Sequence, residues 1–136
     1  MRAFAGTLVL LALAAPIAAA ENGTRPRLDL RATPRMAFSP TVVYVTAELA
    51  GGDEIEDLYC PEVEWDWDDG ARSHRGSDCP PFQAGQTDFE RFFSADHVYR
   101  QAGSYNVKIT MKRAGRTLAV ANTRVDVRAG LGDFSE

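Results

Sequence analysis

Four stretches of this chain alternate apolar and polar residues with a period of two, and that pattern restricts the fold more than any other feature. In residues 104–112, Tyr105, Val107, Ile109 and Met111 share one parity, and Asn106, Lys108, Thr110 and Lys112 the other. Such a segment is an antiparallel strand with one face on a core and one in water. Residues 41–49 repeat the pattern, with Val43, Val45, Ala47 and Leu49 opposite the parity of Glu48. Leu28, Leu30 and Ala32 alternate with Asp29 and Arg31 until Pro34, which suits a short edge strand. Arg113-Ala114-Gly115-Arg116 reads as a turn, with residues 117–127 returning as the hairpin partner. Leu118 and Val120 are even whereas Val125 and Val127 are odd, so a bulge is expected over 121–124. No stretch carries a helical period. The expected fold is all-β, a sandwich of about seven strands.

The strands begin only after an N-terminal segment of a different kind. Met1-Arg2, an apolar run over 4–17 and Ala18-Ala19-Ala20 before Glu21 have the layout of a signal peptide, assigned to residues 1–20. The run is shorter than the roughly 20 residues a bilayer core needs, so no transmembrane segment is expected after cleavage. Cleavage would leave 116 of the 136 residues, divided into a leader (21–27), a sandwich domain (28–128) and a loose tail (129–136). Asn22-Gly23-Thr24 in the leader is a glycosylation sequon wherever that machinery exists. A chain of this size buries roughly 65% of its unfolded surface, enough for a single core. Loss of Arg2 leaves 14 basic against 19 acidic residues, a net charge of −5 that disfavours nonspecific binding to nucleic acid. Export places Cys60 and Cys79 in an oxidising compartment, where one structural disulfide is the default reading. A zinc site is the poorer alternative, because only His74 lies between the two thiols.

The centre of the chain is aromatic and acidic. Val63, Trp65 and Trp67 alternate with Glu64, Asp66 and Asp68, and Asp69-Gly70 signals a two-residue hairpin turn. That turn sets Asp68 opposite Ala71, Arg75 opposite Glu64 and Cys60 opposite Cys79, so turn and disulfide agree. Residues 53–69 hold nine acidic and no basic side chains, which should mark one face or end of the sandwich as acidic. Calcium is the candidate ion, since a hard cation seeks clustered carboxylates, and Asp53, Glu54, Asp68 and Asp69 are its candidate ligands. A solvated strand face explains the same residues without an ion. Further on, Phe93 is expected in the core, while Phe82 and Phe89 are candidate exposed anchors for a partner.

The run Trp65-Asp66-Trp67-Asp68-Asp69-Gly70, followed by His97-Val98-Tyr99 and Gly103-Ser104-Tyr105-Asn106-Val107, resembles the polycystic kidney disease (PKD) domain family over roughly residues 28–128. Trp65, Trp67, Asp69, Gly70, His97, Tyr99, Gly103, Tyr105 and Val107 carry the resemblance. Asp68 stands where the family has a first turn glycine, the stretch from Gly70 to His97 is longer than the common form, and the two cysteines are an addition. The resemblance implies an immunoglobulin-like sandwich used as an extracellular spacer or as a module that binds protein or carbohydrate. Trp65 is then a core residue, Tyr99 or Tyr105 a corner tyrosine, and His97 a support for the bend before the final hairpin. Trp67, next to the turn, is either core or a partly exposed platform for sugar stacking. No serine or cysteine lies in a nucleophile motif and the two histidines lack metal-pair spacing, so no enzyme is expected. The expectation is an exported, periplasmic or secreted, non-catalytic domain that binds a protein. The alternative is a carbohydrate-binding or calcium-assisted surface module.

Overall fold

The computed structural model describes residues 25–52, 55–76, 78–87 and 89–131. Residues 1–20, expected to be a signal peptide, most of the expected leader, Asp53, Glu54 and Phe134 lie outside the described residues. Eight strands and one short helix follow in order: β1 Arg27–Thr33, β2 Met36–Phe38, β3 Thr41–Ala50, α1 Ile55–Leu58, β4 Glu62–Asp66, β5 Arg72–Arg75, β6 Phe92–Tyr99, β7 Gly103–Arg113 and β8 Arg116–Arg128. They form a three-stranded sheet, β1-β3-β6, and a five-stranded sheet, β2-β8-β7-β4-β5. All pairings are antiparallel except that of β2 with β8.

The core lies between the sheets and is filled by the alternating residues. Val43, Val45, Ala47 and Leu49 of β3 face Val107, Ile109 and Met111 of β7, with Val63, Trp65, Phe93 and Tyr99 between them, all buried. At about 25 cal/mol per Å² of apolar surface, this burial is the main stabilising contribution. The extra strand, β2, escapes a periodicity search because it is only three residues long. It runs parallel to the end of β8, and Ser39 N donates to Arg128 O across that junction at 2.8 Å.

Three local expectations need correction. The β4–β5 connection is a three-residue loop, 68–70, closed by Trp67 N donating to Ala71 O at 3.2 Å. Its cause is side-chain capping. Asp66 Oδ1 accepts from Asp68 N and Asp69 Oδ1 from Ala71 N, each at 3.0 Å, while Asp68 (φ 62°) and Gly70 (φ 90°) take left-handed conformations. The register moves by one residue, so Glu64 faces His74 and Arg75 faces Val63. The Cys60–Cys79 disulfide is present with a Cα–Cα distance of 6.1 Å, but it lies beyond the ladder and owes nothing to that register.

The bulge of β8 also lies elsewhere. Met111 pairs with Ala119 and Lys112 with Thr117, leaving Leu118 as the extra residue, whereas pairing through 121–124 is regular. From Ala119 onward the odd residues point inward, and Val120 turns out to solvent. Lastly, the tail does not loosen at residue 129. Gly130 is buried, its N–H donates to Ser39 Oγ at 3.1 Å, and a Cβ there would come within 2.0 Å of Ser39 O.

Candidate binding surface

The motif residues meet in one aromatic column. Trp65 points inward from β4 and stacks on Trp67, with centroids 6.0 Å apart. Trp67 stacks in turn on His97 of β6 at 4.7 Å, His97 meets Tyr99 edge-on at 4.9 Å, and Tyr99 stacks on Tyr105 of β7 at 4.2 Å. Polar atoms of the column are tied to the frame. Trp67 Nε1 donates to Ser73 Oγ at 2.9 Å, Tyr99 Oη to Trp67 O at 2.7 Å, and Tyr105 Oη to Gln101 O at 2.7 Å. Trp67 is therefore fully buried, with 0% of its surface exposed, and offers no platform for a sugar. The Trp67 ring continues the inward parity of Val63 and Trp65.

Among the described residues the side-chain hydrogen bond across the bend before β7 is that of Tyr105 to Gln101 O, rather than one from His97. Instead, His97 Nε2 lies 2.6 Å from Asp69 Oδ2 and pins the β4–β5 loop onto β6. Burial pushes the Asp69 carboxyl up, but the hydrogen bonds from His97 and Ala71 N and the imidazole charge outweigh it, leaving the group below the usual range. Burial, followed by the nearby Asp69 charge, pushes the Tyr99 phenol well above its ordinary value. The surface here is a shallow depression of about 350 Å³ whose lining includes Asp69, His97, Arg100 and Tyr105. His97 is held between a ring face and a carboxylate, a positioning role rather than a presented base.

The described part of the acidic segment does not form an acidic face. Glu62, Glu64 and Asp66 line the outer side of β4, but in register they face Lys112, Thr110 and Lys108 of β7. On the other side Arg72 pairs with Glu64 at 3.3 Å and Asp66 at 3.2 Å. Asp57 approaches Arg116 at 3.7 Å, and Asp68 Oδ2 accepts from Asn106 N at 2.8 Å. Charge that is one-signed along the chain is thus interleaved across the sheet. Among the described residues no three His, Cys, Asp or Glu side chains gather closely enough to hold a metal ion.

The phenylalanines are also redistributed. Phe93 is buried, as its place before the His97 block implies. Phe89 is half-buried against the core with Arg91 over its ring at 4.8 Å, and Phe82 is half-buried against Tyr59 at 5.5 Å. Neither is the exposed anchor expected: Tyr59 Oη donates to Pro80 O at 2.6 Å and the disulfide ties the loop carrying Phe82 back towards α1, while Phe89 packs against the core. Among the described residues, exposed large apolar side chains sit on β2 and β8 (Met36, Phe38 and Val120), at Leu131, and as a group of four on the outer face of β3 and β6. Val42 lies directly opposite Val98, Tyr44 is one row further along and 61% exposed, and Phe92 is 60% exposed at the far end. Their signal was available in the alternation: Val42 and Tyr44 occupy the solvent parity of a strand whose other parity fills the core.

Two solved structures share this architecture. The CARDB domain of a Pyrococcus furiosus protein, determined by NMR in solution, superposes with a TM-score of 0.52 at 14% identity, over 78% of this chain and 96% of that one. A crystal structure of the same domain in complex with di-metal ions gives 0.50 at 11%, over 79% and 96%. The fold is an immunoglobulin-like β-sandwich. No protein family matches the chain, and no curated protein does. In immunoglobulin-like lettering β1, β3 and β6 are strands A, B and E, while β4, β7 and β8 are C, F and G, with β5 as C′. Trp65 is the buried strand-C tryptophan, and Tyr105, bonded four residues back to Gln101 O, is the corner tyrosine. The Cys60–Cys79 bond is unlike the B–F disulfide of antibody domains, since it staples α1 and the start of β4 to the loop after β5. Strand D, which borders E in these sandwiches, has no counterpart among the described residues.

Proposed function

We propose that the chain is an exported, non-catalytic, PKD-like module that binds a protein partner in the cell envelope or outside the cell. The observation that carries this reading is the exposed apolar row Val42, Val98 and Tyr44 on the outer face of the three-stranded sheet, set on rigid strands. The PKD-like assignment is supported by the meeting of Trp65, Trp67, His97, Tyr99 and Tyr105 in one column, which gives each a structural role. Burial of Trp67 removes the feature on which carbohydrate binding rested. Export is supported by the layout of residues 1–20 and by the disulfide, which suits an oxidising compartment.

The test is capture from the native envelope fraction by tagged protein beginning at Glu21, compared with a Val42→Ser/Tyr44→Asp double variant. A partner retained by the first and lost by the second, with melting temperatures unchanged, supports the reading. Equal capture by both, or none by either, overturns it. Expression of the full chain in a secreting host should yield a mature N-terminus at Glu21 by intact mass. Uncleaved product retained inside the cell would refute export.

A further inference from the structure

Sheet edges present unpaired backbone groups, and native sandwiches protect them with charge, proline or shortness. Three of the four edges here are protected in one of these ways. β1 alternates Arg27, Asp29 and Arg31, β2 is three residues between Pro34 and Pro40, and β5 is four residues carrying Arg72 and Arg75. β6 differs. It runs eight residues, Phe92–Tyr99, with no proline, glycine or lysine and with Asp96 as its one acid. Beside it, where strand D would pair, the seam to β5 opens as a depression of about 150 Å³ whose lining includes Val63, Trp65, Phe93, Ser94 and Ala95.

The direction of the free groups follows from the ladder with β3. Leu49 N donates to Arg91 O at 2.7 Å, so residue 91 turns its backbone toward β3. In an antiparallel pair this alternates, which places Phe93, Ala95, His97 and Tyr99 in the bonded pairs. The N–H and C=O groups of Phe92, Ser94, Asp96 and Val98 therefore point to the open edge. Among the described residues no backbone bond from another element reaches them.

We propose that two copies of this chain associate through β6, antiparallel about a two-fold axis, making one six-stranded sheet from the two three-stranded ones. Even residues must then face even residues, and side-chain chemistry selects the register. Asp96 against Asp96 would oppose like charges, and Ser94 against Ser94 would set Phe92 on Asp96. Ser94 against Asp96 of the second copy instead places Phe92 on Val98, joining two exposed apolar side chains, and offers the Ser94 hydroxyl to a carboxylate. Ala95 then lies on the axis. Residues 92, 94, 96 and 98 each form a bonded pair, and the Val42–Val98 row of one copy runs on into Phe92 of the other. The inference is independent of the partner-binding reading.

Sedimentation equilibrium of the protein beginning at Glu21 should give twice the monomer mass at about 100 μM. Ser94→Pro removes an N–H that faces away from β3, so the monomer keeps its ladder while the pairing between copies is blocked at its centre. It should be folded and monomeric. Ala95→Cys should cross-link under mild oxidation, because its non-bonded pair brings the Cα atoms to about 4.5 Å, whereas Asp96→Cys should not. Wild-type protein that is monomeric at that concentration, a folded Ser94→Pro variant that still dimerises, or cross-linking at Asp96→Cys equal to that at Ala95→Cys would overturn the proposal. Hydrogen-exchange protection of the β6 edge only when a different protein is bound would assign the edge to a foreign strand and equally overturn it.

Discussion

Removal of the Tyr99 hydroxyl tests whether the aromatic column is a structural joint. Tyr99 is fully buried, and its Oη donates at 2.7 Å to Trp67 O, the carbonyl from which the β4–β5 loop departs. Tyr99→Phe keeps the ring, its stacking on Tyr105 and its edge contact with His97, so the loss isolates one hydrogen bond. It also leaves a buried carbonyl without its donor, a change that costs about 1–3 kcal/mol. For a sandwich of about 100 residues, each kcal/mol lowers the melting temperature by roughly 5 °C, so the shift should be roughly 5–15 °C. Tyr105→Phe supplies the control, since its acceptor Gln101 O is exposed and water can replace the hydroxyl; about 0.5–1 kcal/mol is expected. Urea and thermal unfolding of the three proteins, with m-values compared, make the measurement. If Tyr99→Phe costs no more than Tyr105→Phe, the reasoning is refuted. Titration gives a second readout. Burial and then the Asp69 charge raise the Tyr99 phenol, and a folded-state value above the unfolded one adds stability that is complete below about pH 10. That stability is lost as pH rises further, and the alkaline decline should flatten in Tyr99→Phe.

Further expectations concern the loops. Reduction of the Cys60–Cys79 bond, or Cys60→Ser with Cys79→Ser, should cost about 3 kcal/mol for the loop it closes, read as a fall in melting temperature; no change would show that the bond is not structural. Asp69→Asn should destabilise the fold by about 1 kcal/mol at neutral pH, the pair being partly exposed. Because the Asp69 carboxyl lies below its unfolded value, that difference should be present above about pH 4 and vanish as pH falls through the folded value, as acid unfolding of the two proteins would reveal. Ala114 occupies a left-handed position (φ 49°) in the two-residue β7–β8 turn beside Gly115, so Ala114→Asn should raise stability by about 0.5–1 kcal/mol. A lower melting temperature for that variant would contradict the turn geometry.

How far the fold and its surface were legible depended on the range of the forces involved. Alternation in β3, β4 and β7 marks which residues are buried, because a strand's pleat assigns every second side chain to one face whatever its neighbours are. The same rule gave Trp65 its place, whereas Phe93 followed from its position before the His97 block and the β7–β8 turn from its glycine. The β4–β5 register was not legible, since a loop of two or three residues was decided by whether Asp66 and Asp69 bond the backbone around them. The bulge at Leu118 likewise depended on how β8 met Met111 and Lys112 across the sheet.

Residues 53–69 show the division most plainly. Their sequence by itself determines nine acidic residues among seventeen, with no basic one, and a strand with apolar and acidic parities. Only the tertiary structure decides that Lys108, Lys112 and Arg72 lie among those charges, that Asp69 holds His97, and that Trp67 is sealed in the core. Local backbone geometry acts between adjacent residues and is written in their order. Electrostatic neighbourhood and burial arise between strands distant in sequence, and they come into being only when the sheets close on one another.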